Sequence, residues 1–96
     1  MKEHSYFVYI MSNPNQTLYI GVTNDLMRRV LEHKLGLIDG FTKQYKLKSL
    51  VFYEGFKSIH EAIAQEKRLK GWVRQRKIDL ISEANPTFKD LWSDFS

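Results

Sequence analysis

The chain has no cysteine among its 96 residues. A disulfide framework is therefore excluded, and so is any zinc site built on thiolates. Two prolines and five glycines are too few for a low-complexity or linker-like segment. No apolar run approaches the roughly 20 residues that cross a bilayer. The opening "MKEHSYFVYIM" lacks a signal-peptide core followed by small residues, so a cytoplasmic protein without membrane contact is the expectation. What the chain does have is 43% hydrophobic and 14% aromatic residues, a globular rather than disordered composition. That is enough for one core, and a single domain over residues 1–96 is expected.

The net charge of +4 is unevenly spread. Lys67, Arg68, Lys70, Arg74, Arg76 and Lys77 crowd into one stretch against Glu66 alone, while the tail carries Asp79, Glu83, Asp90 and Asp94 against Lys89. A basic cluster with Trp72 inside it suits a polyanion, nucleic acid above all. The same charges also suit a solvated helix face, and charge alone leaves both readings open.

Two β-branched and aromatic runs, "YFVYIM" (6–11) and "TLYIGV" (17–22), flank the turn-forming "SNPNQ" and predict a hairpin. Thr23 and Asn24 are placed to cap a helix with Asp25 in its first turn, and Gly36 to end it. After the loop "GLIDGFTKQYK", "SLVFYEGF" (49–56) predicts a third strand. Ser58 and Glu61 fit the capping box of a second helix reaching about Lys70. Gly71 should break it, and a third helix should run from about Val73 to Ala84, where Asn85-Pro86 stops it. The order β-β-α-β-α-α predicts an α/β (α+β) domain: a small three-stranded, mainly antiparallel sheet flanked by helices.

The stretch "LYIGVTNDLMRRVLEH" (18–33) passes from strand to helix and carries more chemistry than packing requires. On the helix, Leu26, Met27, Val30 and Leu31 span an apolar arc, with Arg29 and His33 one turn apart at its edge. Arg29 can snorkel at the surface and His33 can be a satisfied, partly buried histidine, or both can border a site. On the second helix, Ile59, Ala62, Ile63, Leu69 and Val73 define a stripe with Glu66 inside it, about 40° from Ala62. A buried carboxylate needs a cation, which can be an arginine, a lysine or a metal; a structural ion pair satisfies it equally. Tyr9 and Tyr19 lie on consecutive strands and share a face only if the register allows. Gly21, two residues beyond Tyr19, leaves room for another backbone or a ligand.

Taken in order, "FVY" at 7–9, "YIG" at 19–21, Arg29, His33, a helical Glu66 and a late Asn85 resemble the GIY-YIG nuclease superfamily. The likeness is greatest to its small, stand-alone, single-domain bacterial members. It extends from about Ser5 to Trp92 and takes in "GFTKQY", "LVFYE", "EKRLKGW" and "NPTFKDLW". Phe7 stands where the first tripeptide of the family has glycine, and Val22 where repair-type relatives often have lysine.

The resemblance implies metal-dependent phosphodiester hydrolysis of nucleic acid, by a DNA endonuclease or nickase of repair or processing. It implies that Glu66 holds Mg²⁺ or Mn²⁺ and that Arg29 grips the scissile phosphate, whose two oxygens match a planar guanidinium. It also implies that Tyr9 activates the attacking water, that Tyr19 and His33 position or assist proton transfer, and that Asn85 steadies the site. Lys67, Lys70, Arg74, Arg76 and Lys77 would bind the nucleic acid. A rival reading keeps the fold as a nucleic-acid-binding module without useful catalysis. A third has the chain binding a protein partner through Trp72 and Trp92.

Overall fold

Val8 and Ile10 alternate with Phe7, Tyr9 and Met11, and this period-2 pattern forms strand β1 (Tyr6–Ser12). The computed structural model describes residues 4–95. Asn13 builds the following turn twice over: its carbonyl accepts from the Gln16 amide at 2.8 Å and its side chain accepts from the Thr17 amide at 3.0 Å. The chain returns as β2 (Leu18–Thr23), and β3 (Ser49–Phe56) later pairs with the other side of β1. The sheet order is β2-β1-β3 with both pairings antiparallel. Four α-helices accompany it: α1 (Leu26–Lys34), the one-turn α2 (Phe41–Gln44), α3 (Ile59–Lys70) and α4 (Arg74–Ala84). A 3-10 helix (Leu91–Phe95) follows. Apart from the short α2, this is the β-β-α-β-α-α order that the sequence predicts.

Each sheet face has its own core. Val8, Ile10, Ile20 and Val51 pack against Ala62 and Leu69 of α3 and Ile81 of α4. On the other face Tyr9, Met11 and Leu50 pack with Leu26 and Val30 of α1 and with Leu47. Among the described residues no helix is long and apolar enough to cross a membrane.

Several expectations are corrected. Asp25, not Thr23 or Asn24, caps α1, because its side chain accepts from the Arg28 amide at 3.2 Å while Thr23 bonds to Asp25. The apolar arc of α1 is narrower than its pattern suggests: Leu26, Val30 and His33 are buried, whereas Met27 and Leu31 are exposed. Val73 does not extend the stripe of α3; it is exposed and stands at the N-terminus of α4. Gly71 ends α3 as expected, with an ordinary φ of −81°. Gly36, which follows α1, uses the left-handed freedom of glycine at a φ of 69°.

Trp72 and Trp92 are each partly buried, one against each core. They therefore do not share one packed surface. The acidic tail is not simply solvated. Asp90 pairs with Lys34 of α1 and accepts from the amides of Leu50 at 3.0 Å and Trp92 at 3.1 Å, tying the C-terminal segment to β3 and α1.

Candidate active site

Register settles how the two tyrosines lie. Tyr9 faces Gly21 and Met11 faces Tyr19 across the β1–β2 ladder, so side chains at 9 and 19 emerge on one face, diagonally related. Their ring centroids are 6.3 Å apart. His33, one turn beyond Arg29 on α1, completes a three-ring cluster at 5.6 Å from each tyrosine.

The room beside Gly21 is not left for a ligand. It is filled by Tyr9: a β-carbon at residue 21 would lie 2.6 Å from the Tyr9 hydroxyl. Pressed over the glycine, that hydroxyl meets Nε2 of His33 at 2.9 Å. Nδ1 of the same ring is 3.1 Å from Oγ1 of Thr42, which is buried on α2. Thr42 is a residue that sequence reasoning missed. A lone threonine in a loop carries no periodic signal; only its place inside "GFTKQY" marked the region.

Tyr9 is 1% exposed and His33 3%. Burial raises the Tyr9 pKa well above the usual phenol range, and Tyr19, Glu32 and Glu66 push the same way against Arg29. Burial, followed by the charge of Arg29, lowers His33 to about 4, with Glu32 opposing. Both groups are therefore neutral near pH 7. A neutral imidazole donates at one nitrogen and accepts at the other, so the Tyr9 and Thr42 contacts of His33 are coupled.

Arg29 borders a cavity of about 250 Å³ with Tyr6, Val22, Thr23, Asn24 and Ile59, between the end of β2 and the start of α3. Its Nε lies 3.4 Å from Glu32, in an ion pair, yet it is buried and makes no hydrogen bond among the described residues. A buried donor left open in this way is costly unless something else engages it.

Glu66 is the anomaly that the helical pattern exposes. Its side chain is 19% exposed, and Lys70, one turn on, holds it at 2.8 Å. The ion-pair reading is thus realised here. The carboxylate still lies close enough for its charge to act on the Tyr9 hydroxyl. Among the described residues no group of three or more His, Cys, Asp or Glu is assembled as a metal cage. A lone carboxylate whose charge reaches the same hydroxyl as that of Arg29 nonetheless fits a hard divalent cation such as Mg²⁺, which takes one or two carboxylates and fills its shell with water and other oxygens.

Asn85 lies apart from this cluster in its bonding. It is buried, donates to the carbonyls of Val51 at 3.1 Å and Lys89 at 2.9 Å, and accepts from the Lys89 amide. Its direct effect is to fix β3 and the chain beyond α4. The basic residues do not form one uniform face. Lys67 is exposed, and Lys70 is engaged with Glu66. Arg74 donates to the Gln16 carbonyl at 2.6 Å, and Arg76 stacks 4.1 Å from the Trp72 ring. Lys77 shares with Arg74 a cavity of about 310 Å³ against the β1–β2 turn.

Residues 5–79 match the GIY-YIG catalytic domain. The chain belongs to that family. Its relatives include a UPF0213 protein of Bacillus pumilus, 34% identical over 83 residues that span 86% of this chain and 85% of that one. A UPF0213 protein of Staphylococcus aureus is 35% identical over 79 residues, 82% of this chain and 96% of the relative. The solution NMR structure of a UPF0213 protein from Bacillus halodurans superposes with a TM-score of 0.58 at 28% identity, covering 88% of this chain and 90% of that one. The family membership and the antiparallel three-stranded fold agree with the sequence reading. In this GIY-YIG domain both tripeptides reach the same spot, since Tyr9 from the first lies over Gly21 from the second.

Proposed function

We propose that this chain is a metal-dependent nuclease that hydrolyses phosphodiester bonds in nucleic acid, with DNA as the first substrate to test. The observation that carries the reading is the Tyr9–His33 hydrogen bond, buried where the charges of Arg29 and Glu66 both act, in a chain with a GIY-YIG catalytic domain.

Phosphodiester hydrolysis builds negative charge on the phosphate oxygens, and a water-poor site with fixed positive charge lowers that barrier. Arg29 supplies such a charge, and its unbonded Nε is a donor that a phosphate oxygen can engage. Tyr9 is the base. Nε2 of His33, in the tautomer that Thr42 stabilises by accepting from Nδ1–H, holds the Tyr9 hydroxyl in place. Tyr9 would take the water's proton as its phenolate, having released its own proton to solvent, a form that nearby positive charge favours. Because Tyr9 is closed off, the water it activates is one admitted with the phosphate rather than bulk solvent. Tyr19, less buried, orients that water or the phosphate beside it. Glu66 would hold Mg²⁺ or Mn²⁺, releasing Lys70 to the backbone of the substrate. When bound, the cation would offset charge on the phosphate and favour loss of the Tyr9 proton. Lys67, Arg74, Arg76 and Lys77 would hold flanking phosphates, and Asn85 keeps β3 in place behind the site.

The test is incubation of purified protein with supercoiled plasmid and with single-stranded oligonucleotides, in Mg²⁺ and in EDTA. Cleavage is expected with Mg²⁺ alone. It should vanish in Glu66→Gln, which keeps the shape of the side chain, while the thermal melt is retained. Equal cleavage by parent and variant would remove Glu66 from the mechanism. Binding without cleavage on any substrate would favour a non-catalytic module.

A further inference from the structure

The one-turn helix α2 has two sides, and only one of them serves the site described above. Thr42 points inward to His33. Its neighbours Phe41 and Tyr45, one helical turn apart, point outward, and each remains 46% exposed. Their rings touch, with centroids 4.8 Å apart. Exposed aromatics on a loose loop would mean little, but this loop is anchored. Leu47 is fully buried just beyond it, and Asn13 donates to the Tyr45 carbonyl at 2.8 Å. The surroundings are basic: residues 34–48 hold Lys34, Lys43, Lys46 and Lys48 against Asp39 alone, and although Lys34 pairs with Asp90 and Lys43 with Asp39, Lys46 and Lys48 remain as excess positive charge.

We infer that the outer side of α2, Phe41 with Tyr45, is a stacking platform for unpaired nucleobases next to the Tyr9–His33 pair. This rests on the nuclease reading and names the class of substrate it favours: single-stranded or locally unpaired nucleic acid. Aromatic faces accept any base because every base has a π-face, and lysines nearby hold the phosphates between bases. Paired bases in a duplex keep their faces stacked on one another and cannot use such a surface. The platform lies on the helix that supports the site, because Thr42, next to Phe41, is 3.1 Å from the histidine that meets Tyr9 at 2.9 Å. The lysines favour a polyanion over a protein partner for the same rings.

Equilibrium binding in EDTA tests this without cleavage. The intact chain is titrated with a single-stranded oligonucleotide carrying 2-aminopurine and with the matching duplex. Two paired variants are compared, Phe41→Ala with Tyr45→Ala and Phe41→Leu with Tyr45→Leu. The leucine pair keeps apolar bulk on the loop and removes the rings, so it carries the test if the alanine pair fails to fold. The expected result is a loss of roughly tenfold or more in single-strand affinity for both pairs, with little change for duplex. The fluorescence quenching of bound 2-aminopurine should fall with it. Unchanged single-strand affinity, equal losses on both substrates, or full recovery with leucine would overturn the platform while leaving the nuclease reading standing. So would self-association of the parent that disappears in the variants, which would make the rings an interface between copies. A parent that binds neither substrate would overturn both readings together.

Discussion

The Tyr9 hydroxyl occupies the volume that a side chain at residue 21 would need. A β-carbon there would meet not only the oxygen at 2.6 Å but also Cζ at 2.7 Å and Cε1 at 2.9 Å. Gly21→Ala must therefore displace the whole ring and, with it, the 2.9 Å bond to His33. The expected cost is about 1–3 kcal/mol of stability in urea denaturation, in the range of overpacking a filled core. Tyr9→Phe in the same chain should relieve only part of it, since two of the three close atoms remain. Full additivity of the two changes would mean that the ring does not rest on the glycine.

Arg29→Lys keeps the charge and loses the fork. Its Nε is buried and unbonded, a donor that lysine does not supply. Cleavage in single turnover should fall by roughly a hundredfold or more, on the scale of one preorganised contact to a developing charge. Equilibrium binding should change much less, with Lys67, Arg74, Arg76 and Lys77 still in place. Equal losses in both would make Arg29 an ordinary phosphate anchor.

His33 should leave a mark on the pH dependence of stability. It is buried and neutral, with its pKa lowered from 6.5 to about 4. Between those values the unfolded chain binds a proton that the folded chain refuses, so stability rises with pH across the window and is lost as pH falls through it. The full effect is roughly 3 kcal/mol at about 1.4 kcal/mol per pH unit. Denaturation midpoints of the parent between pH 4 and 7 should slope more steeply than those of His33→Gln. Parallel curves would show that His33 does not carry the dependence.

Asp90 acts in a different window. Burial alone would raise its pKa, but hydrogen bonds from Lys34 and from the amides of Leu50 and Trp92 outweigh this and lower it. Its contribution is present above the ordinary carboxylate range and lost as pH falls below it. Asp90→Ala should cost about 1–3 kcal/mol, the scale of leaving buried donors unpaired. Asp90→Asn, which keeps an acceptor for Leu50 and Trp92, should cost less. Equal costs would place the effect in the ion pair with Lys34 rather than in the backbone bonds.

Strands and long helices were legible because their periods are local: β3 spans the predicted residues, and α3 and α4 depart by a residue or so. Tyr9, Tyr19, Arg29, His33 and Glu66 stood out by residue type and order. What could not be read was anything fixed by contact across the fold. Register decides that Gly21 receives Tyr9 rather than a ligand, and no local pattern encodes it. The burial of Thr42 and the tail-anchoring role of Asp90 depend on partners 9 and 40 residues away along the chain. Met27 and Leu31 read as core because periodicity reports a face, not how much of that face is covered.

The strand order has a further consequence for motion. Tyr9 rides on the strand that is hydrogen-bonded along both sides, while Tyr19 rides on one with a free edge. Fraying begins at edges, where fewer bonds must break, and reaches a doubly bonded strand last. The two tyrosines, 6.3 Å apart at their rings, thus belong to regions of unequal local stability. On the nuclease reading proposed above, Tyr19 would yield with its strand as a phosphate enters or leaves while Tyr9 holds still. A fixed tyrosine facing a yielding one is a division set by strand order alone.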